Sequence, residues 1–367
     1  MQQDHFSSEL FPELRVPASA AVPRARKSKS APPKPQTTVV PAQGKALPST
    51  PSLPLPAPST STDFEQLASI LDAHPDFRVL RRLQPCLDWP VRSEGKTLQV
   101  VLLDTETTGL DHGRDRIIEL AMLRFTWNPA TALPEGPVQV FDQLEDPGFP
   151  IPADAQRITG ITDGEVQGKR MDDAAITTFL TGVDLVIAHN AGFDRPFAER
   201  RIPVFASLPW ACSFADLDWK ALEESSAKLE SLALSLGLFY DAHRAETDCH
   251  ALLRVLVEPR AQLQGSNGLA LLAQAAQLPA YRVQAVGAPF EAKDLLKARA
   301  YRWNAENKVW STTLTGKDAL VTECHWLRDE VYRSRSASVR VEELDARVKY
   351  SHRAGTERWI RLSEMEV

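Results

Sequence analysis

Cysteine is scarce: Cys86, Cys212, Cys249 and Cys324 are the four in 367 residues, and no two of them form a C-x-x-C pair. That spacing argues against a zinc cluster and a disulfide framework, and it fits a reducing, intracellular compartment, read here as cytoplasmic. Long apolar runs are missing too. No stretch approaches the roughly 20 residues needed to span a bilayer, and the first residues lack a basic start followed by an apolar segment. Neither a membrane span nor a secretory signal is expected. Basic charge is also in deficit: the net charge is -6, whereas nucleic-acid-binding proteins ordinarily carry an excess of Lys and Arg.

The distribution of charge says more than its sum. Residues 98–258 hold 26 acids against 13 Lys and Arg, while residues 281–340 hold 7 acids against 11 basic residues. An acidic segment that handled a polyanion would need cations to bridge the repulsion, and the acids themselves are where such cations would sit. With 43% hydrophobic residues the chain can bury a sizeable core, and its length allows two domains plus tails.

Residues 1–61 are rich in Pro, Ser, Ala and Thr, with a basic knot at Arg24–Lys29. They are expected to be a disordered leader, because they offer too few large apolar side chains to offset ordering entropy. A helical lead-in is expected over 62–97: Phe64, Leu67, Ala68, Ile70 and Leu71 recur near three and four, and Phe77, Leu80 and Leu83 suggest a second short helix. The region 98–260 then reads as one α/β domain. Three strand candidates come first, at 98–103, 116–125 and 138–142, and a helix is predicted between Asp172 and Leu180. A buried strand at 184–188, helices over 191–201, 228–236 and 245–257, and a further strand around 209–216 complete it. Residues 261–280 read as a linker with a short helix, 281–350 as a small α+β domain, and 351–367 as a tail.

Within the middle region three blocks carry chemistry. In Val101-Leu102-Leu103-Asp104-Thr105-Glu106-Thr107-Thr108-Gly109 an apolar strand ends in two acids one residue apart. Strand side chains alternate faces, so Asp104 and Glu106 project together. Alone, such a pair is ordinarily two solvated acids. In Ile187-Ala188-His189-Asn190-Ala191-Gly192-Phe193-Asp194 a strand runs into a helix with an acid in its first turn, where the helix dipole alone would favour a carboxylate. In His243-Arg244-Ala245-Glu246-Thr247-Asp248 a histidine and an acid are five residues apart. On one continuous helix they would lie roughly 140° apart, so both face one site only if His243 precedes the helix.

Together these blocks resemble the motifs of the DEDDh exonucleases, the group containing the proofreading epsilon subunit of bacterial DNA polymerase III: D-x-E, then H-N-A-x-F-D, then H-x-A-x-x-D. The resemblance runs from about Leu98 to Val257, under half of the chain. It implies a ribonuclease H-like mixed sheet flanked by helices, with the site at one end of the central strands. It also implies hydrolysis of the 3′-terminal phosphodiester of nucleic acid, expected to be single-stranded DNA, with release of nucleoside 5′-monophosphates. Two carboxylates about 4 Å apart repel by on the order of 4 kcal/mol at an effective dielectric near 20. Asp104, Glu106, Asp194 and Asp248 therefore call for counter-charge, and their hard oxygen ligands favour two divalent cations, Mg2+ or Mn2+.

By the same resemblance Asp104, Glu106 and Asp248 hold the ion that positions the attacking water, Asp104 bridges to the second, and Asp194 supports that one through water. His243 takes the water's proton, a task suited to imidazole near neutral pH. Thr107, Leu110, Asn190 and Phe193 are expected to contact the terminal nucleotide. Thr159, in Arg157-Ile158-Thr159-Gly160-Ile161-Thr162, stands where many members carry His or Asn, and this departure is expected to alter how that nucleotide is held.

Other readings lead to different partners: an RNA-trimming exoribonuclease of the same group, or a scaffold that binds nucleic acid or a polymerase without hydrolysis. A polymerase or replication partner fits the epsilon-like resemblance, and no membrane partner is expected. In the C-terminal region, Lys293, Lys297, Trp303, Lys308 and Trp310 interleave basic and aromatic residues over a predicted helix and hairpin. They suit a single-strand binding surface, or the tryptophans simply build a small core.

Overall fold

The computed structural model describes residues 63–91, 95–333 and 336–364. The expected leader at 1–61 and its basic knot lie outside the described residues. Residues 63–79 fall in a unit separate from the body of the chain. Its helix, Phe64–Asp72, is capped by the Asp63 carboxylate, which accepts the backbone N–H groups of Glu65 and Gln66 at 3.1 Å each. The second lead-in helix does not form. Arg81–Arg82 instead pairs in parallel with Leu238–Phe239, and Asp88–Trp89 pairs with the edge of the central sheet. The apolar residues there were too few and too close to Pro85 and Pro90 to establish a helical period.

The central sheet is built from β1 (Leu98–Thr107), β2 (Ile117–Asn128), β3 (Leu133–Leu144), β4 (Leu185–Ala188) and β5 (Trp210–Cys212). Spatial order runs Asp88–Trp89, β3, β2, β1, β4, β5. β1 to β3 form an antiparallel meander, while β4 and β5 add in parallel, with Leu103 beside Ala188 and Ala188 beside Cys212. The result is a mixed, ribonuclease H-like sheet.

Period-two alternation decides which face each residue serves. Val100 and Leu102 of β1 join Leu185 and Ile187 of β4 in one core, under α2 (Ala245–Val257). Val101 and Leu103 join Val186 and Ala188 in the other, under α1 (Ala191–Arg201). The uninterrupted apolar run of β1 is what a strand covered on both faces requires.

The stretch 261–280 is more than a linker. Its helix α3 (Gly268–Ala275) is capped by Asn267, which accepts the Ala270 N–H at 3.0 Å. Leu269 and Leu272 are fully buried in the core under α2. The chain then enters a five-stranded antiparallel sheet of β6 (Ala280–Ala285), β7 (Arg302–Asn304), β8 (Val309–Thr315), β9 (Ser338–Leu344) and β10 (Thr356–Arg361), in the order β7-β8-β6-β9-β10. Helices α4 (Lys293–Ala298) and α5 (Lys317–Trp326) close its core through Leu296 and Leu320 against Val283 and Val341. The expected tail at 351–367 therefore supplies an edge strand: Arg358 pairs with Val341 and Ile360 with Val339. Its weak apolar alternation, Trp359 outward and Ile360 inward, had no buried face to mark it. No helix among the described residues is long and apolar enough to cross a membrane.

Candidate active site

β1 and β4 run parallel as far as Leu103 and Ala188, and the acids lie just beyond that pair, Asp104 and Glu106 on the remainder of β1 and Asp194 in the helix after β4. Asp104 and Glu106 share parity with Val100 and Leu102, so they face α2. One carboxyl oxygen each from Asp104, Glu106 and Asp248 lie within 4.8 Å of one another. Thr105 has the opposite parity and faces α1. Its backbone N–H and hydroxyl donate to Asp194 Oδ1 at 3.2 and 2.8 Å. Asp194 thus stands beside the three-acid cluster, held by the strand residue between the first two acids.

α1 begins at Ala191 after Asn190, which takes a left-handed φ of 74°. Asn tolerates this conformation better than most residues, and the abrupt turn starts the helix directly at the sheet edge. α2 starts with its N-terminal donors met by acids. Asp248 Oδ2 accepts the backbone N–H groups of His243 and Arg244 at 2.8 and 3.2 Å. The N–H of Ala245 reaches Glu119 Oε2 at 3.0 Å. His243 lies before the helix, at a positive φ of 65°, which satisfies the geometric condition set by its spacing from Asp248. Tyr240 donates its hydroxyl to Asp248 Oδ1 at 3.0 Å.

A cleft of about 570 Å³ is lined by Asp104, Glu106, Leu110, Asn190, Phe193, Asp194, His243 and Asp248, with Tyr240 and His189 among the others. Of the nine residues singled out from the sequence, Thr107 alone is absent from its walls. It is buried, and its hydroxyl donates to the Gly109 carbonyl at 2.7 Å, which ties down the turn after β1. Thr159 is likewise turned inward: its hydroxyl donates to Ala155 O and accepts the Ile161 N–H, at 3.0 and 3.1 Å. It does not line the cleft.

Burial holds these acids far from their ordinary titration. Asp104 is pushed well up by burial first, then by Asp194, Asp248 and Glu106. Glu106 is pushed up to about 8, by burial and then by Asp248 and Glu119, with Arg244 opposing. Asp194 rises to about 7 through burial, against the hydrogen bonds from Thr105. Such a group of oxygen donors, short of positive charge, fits a hard divalent cation.

Without metal the protein loses stability as pH rises. These acids have folded pKa values above their unfolded ones, so their contribution is fully present below the unfolded values and is lost as pH rises through about 7 and 8. In excess chelator the melting temperature is expected to fall between about pH 5 and pH 8, and saturating Mg2+ or Mn2+ is expected to flatten that slope. A chelated protein whose melting temperature is the same across this range would contradict the cluster.

Sequence reasoning missed several supporting groups. Glu119, opposite Glu106 in the β1–β2 register and 1% exposed, accepts the Arg244 guanidinium at 2.9 and 3.1 Å. The one available signal was an acid inside the apolar run Ile117-Ile118-Glu119-Leu120-Ala121. Arg195, next to Asp194, has a fully buried side chain that pairs with Glu199 at 2.7 Å and lies 5.3 Å from the Trp210 ring. Its guanidinium also donates to the carbonyls of Ala346 at 3.0 Å, Lys349 at 2.6 Å and Arg347. The segment after β9 therefore grips the helix that carries Asp194. No local pattern announces a partner about 150 positions away.

A strand pair of acids, a helix-borne acid on each face and a loop histidine gather at one sheet edge, the arrangement that the resemblance to the DEDDh exonucleases implies. A family profile described as Exonuclease (RNase_T) matches residues 101–256. The match spans β1 to α2 and includes all four acids and His243.

Among similar proteins, the DNA polymerase III subunit epsilon of Treponema pallidum is 29% identical over 174 residues, covering 45% of this chain and 78% of the relative. The PolC-type DNA polymerase III of Thermotoga maritima is 32% identical over 165 residues, 43% of this chain but only 11% of that much longer protein. Two solved structures share limited similarity. Exonuclease X in complex with 5′ overhanging duplex DNA has 21% identity and a TM-score of 0.33, over 47% of this chain and 99% of that one. The nuclease domain of 3′hExo, a DEDDh family member bound to rAMP, has 17% identity and a TM-score of 0.35, over 44% and 92%. DEDDh exonucleases use divalent metal ions, and the acidic cluster is a donor set of that kind.

Proposed function

We propose that this protein removes nucleotides one at a time from the 3′ end of single-stranded DNA, releasing nucleoside 5′-monophosphates, in the cytoplasm. The observation that carries this reading is the convergence of three carboxyl oxygens within 4.8 Å in a cleft shared with Asp194 and His243. Asp104, Glu106 and Asp248 would hold one divalent cation, and Asp104 a second that Asp194 would support through water. Magnesium or manganese bound there supplies an acidified water and neutralises charge on the leaving oxygen.

The chain's own groups do the rest. Tyr240 and the backbone N–H groups of His243 and Arg244 hold Asp248 in place. His243, exposed at the cleft mouth, accepts the attacking water's proton at a ring nitrogen. Its left-handed backbone and the anchored Arg244 set where that ring stands. Leu110, Asn190 and Phe193 border the space for the terminal sugar and base. His189, the other imidazole of the cleft, is pushed down to about 4 by burial and is hydrogen-bonded at 2.7 Å to Ser213 Oγ. It therefore stays neutral and structural near pH 7. The relatives named as DNA polymerase III proteins support association with a replicative polymerase as part of this reading.

The test uses 5′-labelled single-stranded DNA and RNA with magnesium, manganese or chelator. Stepwise shortening of DNA that requires metal is expected. Faster shortening of RNA would favour the RNA-trimming reading, and tight binding without shortening at any metal concentration would favour a scaffold. For His243→Ala we expect turnover to fall by about 10²- to 10⁴-fold with oligonucleotide affinity nearly unchanged. An unaltered single-turnover rate would remove His243 as the proton acceptor.

A further inference from the structure

The C-terminal sheet domain carries a surface that the cleft chemistry does not use. Phe290 is 75% exposed and Trp303 50% exposed, so neither is spent on the domain's core. Lys293 Nζ lies 4.3 Å from the Phe290 ring centroid. Lys297, one helical turn further along α4, places its Nζ 5.9 Å from the Trp310 ring. Trp310 pairs with Trp303 across the β7–β8 hairpin, with ring centroids 5.4 Å apart. These contacts link Phe290, Lys293, Lys297, Trp310 and Trp303 into one continuous stripe of rings and ammonium groups. Among the described residues neither lysine is ion-paired; Asp294 and Glu291 are the acids nearest in sequence. The stripe lies toward the end of β6 and β8 where Ala285 meets Trp310, at the opposite end from Ala280 and the junction with α3.

We infer that this stripe binds single-stranded DNA upstream of the 3′ end being trimmed. Bases stack on aromatic faces whatever their sequence, and ammonium groups between the rings meet the phosphates. The charge argument selects this occupant. The exonuclease domain is strongly acidic around its cleft and repels the strand it must process, whereas residues 281–340 carry 11 basic residues against 7 acids. A second contact, remote from the cleft, would keep a long strand tethered while its end is consumed. This inference rests on the DNA reading above, and it predicts a dependence on substrate length that cleft chemistry alone does not.

The experiment measures anisotropy of full-length protein with 5′-labelled oligo(dT) of 5 and 30 nucleotides in chelator, where no cleavage competes. Hydrolysis of both is then followed with magnesium. Trp303→Ala is expected to weaken binding of the 30-mer about tenfold, within the range for one lost stack. Hydrolysis of the 5-mer should be unchanged. The double change Lys293→Gln with Lys297→Gln is expected to reduce the salt slope of 30-mer binding by about 0.7 for each lysine. Both variants alter exposed side chains, and the unchanged 5-mer rate doubles as the folding control.

Unaltered 30-mer affinity and salt slope in both variants would overturn the proposal and leave the stripe as a protein-docking face. Equal losses on both lengths would overturn it too. If the wild type bound the 30-mer through the stripe yet hydrolysed neither strand, the exonuclease reading on DNA would fail while this one stood.

Discussion

Asp104→Ala is expected to abolish measurable trimming, with turnover down by about 10³-fold or more, while the chelated protein melts at the same temperature or higher. The two effects have one origin. Asp104 is buried among Asp194, Asp248 and Glu106, whose charges all push its carboxyl upward. In the metal-free fold it is a source of repulsion, and its loss relieves the remaining acids. With a divalent cation bound, the same carboxylate would be one of its oxygen donors together with Glu106 and Asp248, and its charge would then be offset.

A destabilised Asp104→Ala protein would mean that the acid holds the fold rather than the ion. Residual activity above about a tenth of wild type would mean that the reaction does not pass through this cluster. Melting curves in chelator and a 5′-labelled DNA assay in magnesium separate these outcomes.

The second large effect is on stability. Arg195→Met is expected to cost about 3 to 5 kcal/mol, the usual consequence of breaking a buried ion pair from one side, and to lower the melting temperature by roughly 10 °C. The guanidinium is fully buried against Glu199 and satisfies carbonyls of Ala346, Arg347 and Lys349. Removing it leaves the Lys349 carbonyl without its donor and the buried Glu199 without its ion pair, while Ala346 O keeps the Trp210 N–H at 2.8 Å and Arg347 O keeps the Arg353 guanidinium. Glu199 keeps partial relief from Ser351 at 2.6 Å and Arg353 at 3.2 Å. Arg195→Lys should recover only part of the loss, because an ammonium cannot span a fork of four acceptors. Because α1 carries both Arg195 and Asp194, activity at permissive temperature should also fall. A change below about 1 kcal/mol in urea unfolding would show that the segment after β9 is only loosely laid on α1.

Much of the candidate site is legible in the sequence. The alternation in Leu102-Leu103-Asp104-Thr105-Glu106 already puts the two acids on one face, and the distance from His243 to Asp248 already requires the histidine to precede its helix. These are local periodicities of two and 3.6 residues, and a strand or helix expresses them wherever it sits. Thr107 shows the limit of that reasoning. Its position in the motif suggested substrate contact, but the β1–β2 register shifts between Glu106 and Thr107, and the Thr107 hydroxyl is turned to Gly109 O rather than into the cleft.

By itself, the sequence determined the order of elements, the acids on β1, the helices that carry Asp194 and Asp248, and the charge contrast between the two halves. Tertiary structure alone decided that Glu119 would brace Arg244, that Thr105 would hold Asp194, that α3 would enter the exonuclease core, and that Thr356–Arg361 would close a sheet. The physical reason is that periodicity tells a side chain which face to take, whereas its partner on that face depends on chain closure over tens to hundreds of residues.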